Sequence, residues 1–378
     1  MYIFFAVFLS LYGSMQWYWY RKALPAIPQA MAARILLAIF LLLMMLAPIM
    51  IRLLERGGQE VLARWTAFIG FSWMGFLFLS CTCFLILDLV RLLVRVAGRA
   101  GFDGNLGNFL PGAGVAFTGV TALVALICIY GWFEATAIRT ENVEVYTTKI
   151  PKAAGTITIA QISDVHLGLL VGERRLRAIL EAVRTAEPDV LVATGDLIDG
   201  QMDGSHGLGV LLKGFSPRLG KFAVTGNHEL YVGGSQALTF MKEAGFTVLR
   251  GDVARIPGIL DIGGVDDPVF IGKEGAVDQE RTLLAQARSD IYLLLLKHRP
   301  LVAPESRGKF DLQLSGHVHK GQIFPFELLT RIQFPLPTGF NGIAEGGAVY
   351  VSRGTGTWGP PIRFLAPPEV TVFRLRHP

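Results

Sequence analysis

The sequence predicts two structural classes in one chain. A bundle of about four transmembrane α-helices occupies residues 1–137. After a linker at 138–154, an α/β domain occupies residues 155–378. Three observations predict this. Four long apolar runs crowd the first part; beyond residue 150 strand-like and helix-like segments alternate; and five of those strands run into Asp, Asn or His.

The composition agrees with a membrane class. Hydrophobic residues make up 52% of the chain, charged residues 17%, and the mean hydropathy is +0.45. An ordinary soluble chain carries about 25% charged residues, so a wholly soluble or a disordered protein is excluded. Residues 1–150 hold 11 Lys/Arg and 7 Asp/Glu, and the rest hold 24 and 23. The basic excess therefore belongs to the apolar half. The near balance in the second half speaks against a nucleic-acid surface, and nothing in the sequence calls for a protein partner. Cys81, Cys83 and Cys128 lie within apolar stretches. They form neither a disulfide framework nor a zinc spacing, and read as small buried side chains.

The apolar runs cover about 2–20, 31–53, 65–90 and 111–133. Each is long enough to cross a hydrocarbon layer of about 30 Å. Pro48 within the second is tolerable in a membrane helix. Trp17, Tyr18, Trp19 and Tyr20, followed by Arg21 and Lys22, resemble an aromatic belt with a basic anchor. The first run lacks the basic start and small-residue cleavage site of a signal peptide. Asp88, with Arg91 and Arg95 after it, reads as an interfacial group, and the Gly-rich segment 98–114 as a loop. An integral protein of a bacterial inner membrane is expected, with the lipid bilayer as its first partner. Six basic residues near helix ends fall on the side of the first and third loops and four on the other. With four crossings this leans toward a second half outside the cytoplasm.

Beyond residue 150, strands are expected at 156–163, 189–194, 222–226, 291–298, 311–317, 349–352 and 369–375. Helices are expected at 173–186, about 235–244 and about 277–288. Strands separated by helices imply a largely parallel core sheet with helices on both faces. Ligands of such sheets bind beyond the carboxyl ends of the strands.

Those ends carry the chemistry. They read Asp164-Val165-His166, Gly195-Asp196-Leu197-Ile198-Asp199, Gly226-Asn227-His228-Glu229, His298, and Gly316-His317-Val318-His319. Five of the seven histidines stand here. Imidazole with carboxylate suits zinc, iron or manganese. On extended backbone the i and i+2 side chains of Asp-x-His and His-x-His point the same way, so each pair can grip one ion or straddle two. A shared carboxylate between two ions provides a clamp for phosphoryl displacement. The glycines before Asp196, Asn227 and His317 let the backbone turn sharply.

The order DxH, GDxxD, GNHE, a lone His, then GHxH resembles the calcineurin-like metallophosphoesterase superfamily over about 155–376. The tail SRGTGTWGPPIRFLAPPEVTVFRL, with helices ahead of the domain, is similar to its membrane-anchored, YkuE-type branch. The resemblance implies a β-sandwich core with flanking helices and two divalent metal ions (Mn, Fe or Zn). Asp164, His166 and His319 would hold the first ion and Asn227, His298 and His317 the second, with Asp196 bridging. A bridging hydroxide would attack phosphorus in line. His228 would serve the leaving oxygen as acid, and Asp199 and Glu229 would orient ligands.

Lys320, where the branch usually shows Gly, either meets a substrate phosphate or points to solvent. Arg299 in KHRP carries the same two readings, and Arg353 in SRG is a phosphate ligand or a structural arginine. Residues 323–346, apolar and proline-rich, form either a packed loop or a lid that faces the bilayer. The reading is a membrane-bound phosphoesterase acting on a phosphodiester, pyrophosphate or phosphomonoester. Its substrate could be lipid-linked, as in the UDP-diacylglucosamine hydrolysis of related branches. The alternatives are a soluble nucleotide or phosphomonoester as substrate, or a non-catalytic metal-binding scaffold or sensor.

Overall fold

A computed structural model describes residues 2–100, 110–200 and 206–378. It divides into two compact units. The first comprises Met1–Trp132 with Gly359–Ile362, the second Phe133–Trp358 with Arg363–Pro378.

The first unit contains α1 (Tyr2–Ala23), α2 (Met31–Arg56), α3 (Glu60–Arg99) and most of α4 (Ala113–Thr136). Three of them, α2, α3 and α4, are long and apolar enough to cross a membrane. The expected first span is helical, but α1 is not among those three. Its second half, GSMQWYWYRKA, is diluted by Ser14, Gln16, the tyrosines and two cations. With 40 residues, α3 outruns the expected 65–90; at 1.5 Å per residue it is about 60 Å long. Of the expected loop at 98–114, residues 101–109 lie outside the described residues, and its two ends are helical.

The helices of this unit meet through aromatic packing, with Trp19 edge-on to Trp73 at 5.1 Å and to Phe117 at 5.3 Å. Asp88 is tied to α1. Lys22 Nζ donates to both its oxygens at 2.6 and 2.7 Å, and Tyr18 Oη donates at 2.8 Å. Arg91 stands 3.7 Å away.

The second unit is built on two six-stranded sheets rather than one. In spatial order the first holds Arg139–Tyr146, Glu369–Arg376, Ile157–Ile162, Val190–Thr194, Lys221–Val224 and Thr247–Val248. The second holds Gly339–Gly342, Ala348–Val351, Leu312–Ser315, Tyr292–Leu296, Leu260–Gly264 and Asp252–Ile256. Neighbours pair in parallel except at Glu369–Arg376 against Ile157–Ile162 and at the two outer pairs of the second sheet. The facing apolar sides, among them Ile157, Ile159, Val192, Ile262, Leu294 and Leu314, form one core. On the other face of the first sheet Leu176, Ile179, Leu180 and Val183 of the helix Glu173–Thr185 seal a second.

The linker expected over 138–154 contains a strand. Arg139–Tyr146 pairs in parallel with Glu369–Arg376 along its whole length. Its pattern RTENVEVY alternates exposed and half-buried positions, and Val143 and Val145 pack on the sandwich core. Period-two alternation marks an edge strand with one wet face. The interspersed charges mask it in a reading tuned to apolar runs.

Candidate metal centre

The strand ends converge. Ile157–Ile162 leads to Asp164 and His166, Val190–Thr194 to Asp196 and Asp199, and Lys221–Val224 to Asn227, His228 and Glu229. From the second sheet, Tyr292–Leu296 leads to His298 and Leu312–Ser315 to His317 and His319. Three overlapping groups place one ligand atom per residue within 4.8 Å of one another: Asp164/His166/His319, His166/Asp196/His228 and Asp196/His298/His317. Asp196 belongs to two of them. Its Oδ2 lies 3.2 Å from His298 Nε2 and 3.9 Å from His166 Nε2.

Two pairs of ring nitrogens face each other at 3.1 Å, His166 Nε2 with His319 Nε2 and His317 Nδ1 with His298 Nε2. Asn227 Oδ1 is buried with no hydrogen-bond partner. A buried amide oxygen without a partner is costly, and a cation placed among these ring nitrogens would supply one. This donor set of imidazoles, carboxylates and one amide oxygen fits divalent Mn, Fe or Zn.

The local backbone is not extended, in contrast to the expected alternation of i and i+2 side chains. Asp164 (φ 52°), His166 (54°), Asp196 (50°), His317 (73°) and His319 (47°) all occupy the left-handed region. Each reaches the rim through a tight turn rather than through strand alternation. Such backbone costs of order 1–3 kcal/mol per residue and persists where surroundings over-determine it. Gly195 turns at φ 90°. Gly226 and Gly316 instead provide space: a methyl on Gly226 would collide with the Asp196 carboxylate, and one on Gly316 with Ser163 Oγ and Asp164 Oδ2.

Neighbouring groups orient the rim. Glu229 is fully buried, and its carboxylate accepts from the backbone N–H groups of Asp196, Leu197, Ile198 and Gly226 at 2.7–3.2 Å. His298 Nδ1 stands 2.9 Å from the Thr194 carbonyl. A carbonyl only accepts, so Nδ1 carries the proton and Nε2 faces Asp196 and His317. His228 donates its backbone N–H to Asp196 Oδ1 at 2.8 Å, and its Nδ1 lies 2.9 Å from Asp199 Oδ1. Tyr231 and Trp358 flank the His228 ring, each with centroids 5.4 Å away.

Burial pushes Asp164 up to about 6. Burial also opposes charge on Asp196, but His298 and His228 beside it hold it well below the usual carboxylate range. Burial lowers His166 to about 4 and holds His317 and His319 well below the ordinary imidazole value. Burial works against charge on His228 too, yet Asp196 and Asp199 raise it to about 9.

Two contacts have no counterpart among the sequence motifs. Ser163 Oγ donates to Asp164 Oδ2 at 2.6 Å. Arg363, fully buried, donates to the Gly356, Arg353 and Ala366 carbonyls, and its Nη2 lies 3.2 Å from His319 Nδ1. The only sequence signal for Arg363 is a lone cation in an apolar, proline-rich tail. Of the residues expected near a substrate phosphate, Arg299 is bidentate to buried Asp267 at 2.7 and 3.0 Å. Arg353 pairs with Glu141 and Glu369. Lys320 is half-buried just past His319.

Strand ends from two packed sheets that present Asp, His and Asn to one point define a metal-dependent phosphoesterase centre. Comparison with known proteins agrees. The sequence profile of the calcineurin-like phosphoesterase family matches residues 157–321. A metallophosphoesterase of Aquifex aeolicus (strain VF5) is 39% identical over 258 residues, 67% of this chain and 98% of that protein. The metallophosphoesterase YkuE of Bacillus subtilis (strain 168) is 31% identical over 65% of this chain and 88% of its own length. A transmembrane protein with metallophosphoesterase domain from Danio rerio is 29% identical over 68% of this chain, which spans 61% of that protein. The chain belongs to the calcineurin-like metallophosphoesterase family.

Proposed function

We propose that the protein is a membrane-bound phosphoesterase with two divalent ions, acting on a phosphoester presented at a bilayer surface, such as a lipid-linked phosphodiester or pyrophosphate. The observation that carries the two-ion reading is the run of three overlapping ligand groups, joined through His166 and Asp196. Asp164, His166 and His319 would hold one ion and Asn227, His298 and His317 the other, with Asp196 available to both. The ions supply Lewis acidity toward phosphoryl oxygens and make a nucleophilic water available near neutral pH.

The remaining work falls to the chain. His228, kept protonated by Asp196 and Asp199, delivers its Nε2 proton to the leaving oxygen. Asp199 fixes the ring through Nδ1. Glu229 locks the turn after Thr194 to the turn after Val224 through four amides. Arg363 holds His319. Lys320 is the cation left to meet a substrate phosphate, since Arg299 and Arg353 are engaged by carboxylates. The three apolar helices favour a substrate that shares the bilayer over a soluble nucleotide. An extracytoplasmic site, favoured by the basic residues near helix ends, requires α1 to cross as well.

Purified protein with Mn²⁺ should hydrolyse bis-nitrophenyl phosphate. Asp196→Ala should lower kcat by at least about a thousandfold and lose bound metal by elemental analysis. An inert metal-loaded wild type, or an Asp196→Ala protein with full activity, would overturn the reading.

A further inference from the structure

The helix Glu327–Gln333 begins a few residues beyond His319 and Lys320. It presents Leu328, Leu329 and Ile332 at 60%, 56% and 81% exposure. At 100° per residue these three fall within one sector of about 100°. Phe324 and Phe326, just ahead of the helix, are also exposed, as is Trp358 across the rim. The other side of the element is fixed. Phe334 is buried in the outer core of the second sheet and packs edge-on against His317 at 4.9 Å. Gln322 accepts the Trp358 N–H at 2.8 Å and donates to the Trp358 carbonyl at 2.9 Å. Glu327 and Arg331 neutralise each other along the flank. The apolar sector is therefore uncharged and flanked by residues anchored beside the metal rim.

Exposed leucine and isoleucine at this density mark a surface that is covered when the protein works. The chain itself points to what covers it. Three of its helices can cross a membrane, and only residues 137 and 138 separate the last of them from the first strand of the catalytic unit. A joint that short keeps the catalytic unit within reach of lipid. Tryptophan and phenylalanine beside an aliphatic face are the side chains that settle at a membrane interface.

We propose that the face formed by Leu328, Leu329 and Ile332, with Phe324 and Phe326, inserts into the acyl layer of the bilayer. Insertion seats the metal rim on the lipid headgroups, so that the enzyme draws its phosphoester from the membrane. The part concerning substrate rests on the phosphoesterase reading; the insertion itself does not.

Two measurements on the full-length protein in phosphatidylethanolamine/phosphatidylglycerol nanodiscs test it. First, Leu329→Cys is labelled with an environment-sensitive nitrobenzoxadiazole dye, with Cys81, Cys83 and Cys128 replaced by alanine and the soluble-ester rate or, failing that, the melting transition checking the fold. Emission should shift to the blue and be quenched by lipids brominated on their acyl chains. Water-like emission without quenching, or a shift that follows the number of protein copies per disc rather than the brominated lipid, would overturn the proposal; the second result would make another copy of the chain the occupant.

Second, the triple serine variant at Leu328, Leu329 and Ile332 is compared with wild type on two esters sharing one leaving group. Its kcat/KM on a dioleoyl phosphatidyl-nitrophenol ester should fall about tenfold or more while that on bis-nitrophenyl phosphate stays within about twofold. Equal losses would overturn the substrate part. A wild type inert on both esters would remove the phosphoesterase reading, while the dye would still decide insertion.

Discussion

His228 has carboxylates on one side and aromatic rings on another. Asp199 takes its Nδ1, Asp196 its backbone N–H, and Tyr231 and Trp358 close on its ring. A group acting as acid should matter most for poor leaving groups. His228→Asn is expected to slow an alkyl phosphodiester about 100–10,000-fold and a nitrophenyl ester far less; equal slowing of both would deny it this role. The charge on His228 also has a stability signature. In chelator its value near 9 exceeds the ordinary 6.5, so the folded state binds the proton more tightly than the unfolded state. The stabilisation is complete below 6.5 and is lost as pH rises through about 9. Melting scans across that window should fall for the wild type and fall less for Asp199→Asn. The convergence of the seven residues proposed as ligands was legible because their types and order follow strand ends. Arg363 was not, because burial beside His319 leaves no local pattern.

At the scale of elements, the site depends on how closely turns from two sheets approach. Gly316 is a sharp case, since any side chain there would meet Ser163 and Asp164. Gly316→Ala is expected to cost about 1–3 kcal/mol by overpacking and to lower metal retention measured by elemental analysis. Unchanged retention would mean that the two turns have slack. Most central strands were readable as apolar, β-branched runs; Leu260–Gly264, with Asp261 and two glycines in five residues, was not. The edge strands Arg139–Tyr146, Asp252–Ile256 and Gly339–Gly342 were not, because one face of each is wet and their charges and glycines imitate loops. The helix Glu327–Gln333 was hidden for the opposite reason. Its apolar face looks outward, so the segment lacks the inward periodicity that announces a helix.

On the scale of the whole molecule, metal and fold are coupled. The centre gathers residues in left-handed conformation, crowded imidazoles and an unpartnered Asn227 oxygen, so metal should stabilise the catalytic unit. At a hundredfold excess over Kd each ion contributes about 2.7 kcal/mol, several degrees for a domain of this size. Thermal scans should show the upper transition rising with Mn²⁺ and falling in chelator. In Asp196→Ala the difference should shrink to a small fraction; persistence of the full shift would place the stabilising ion elsewhere. The division into an apolar and a catalytic half was plain in the distribution of charge. The number of crossings was not, since α1 mixes belt aromatics with polar residues that dilute its apolar run.

The slot filled by Glu369–Arg376, between the strands Arg139–Tyr146 and Ile157–Ile162, has a consequence for biosynthesis. Arg139–Tyr146 and Ile157–Ile162 are both synthesised more than 200 residues before the strand that joins them, so the first sheet cannot zip until Glu369–Arg376 has left the ribosome. A chain broken off before Glu369 would keep an open seam between Arg139–Tyr146 and Ile157–Ile162, where a quality-control protease can seize it.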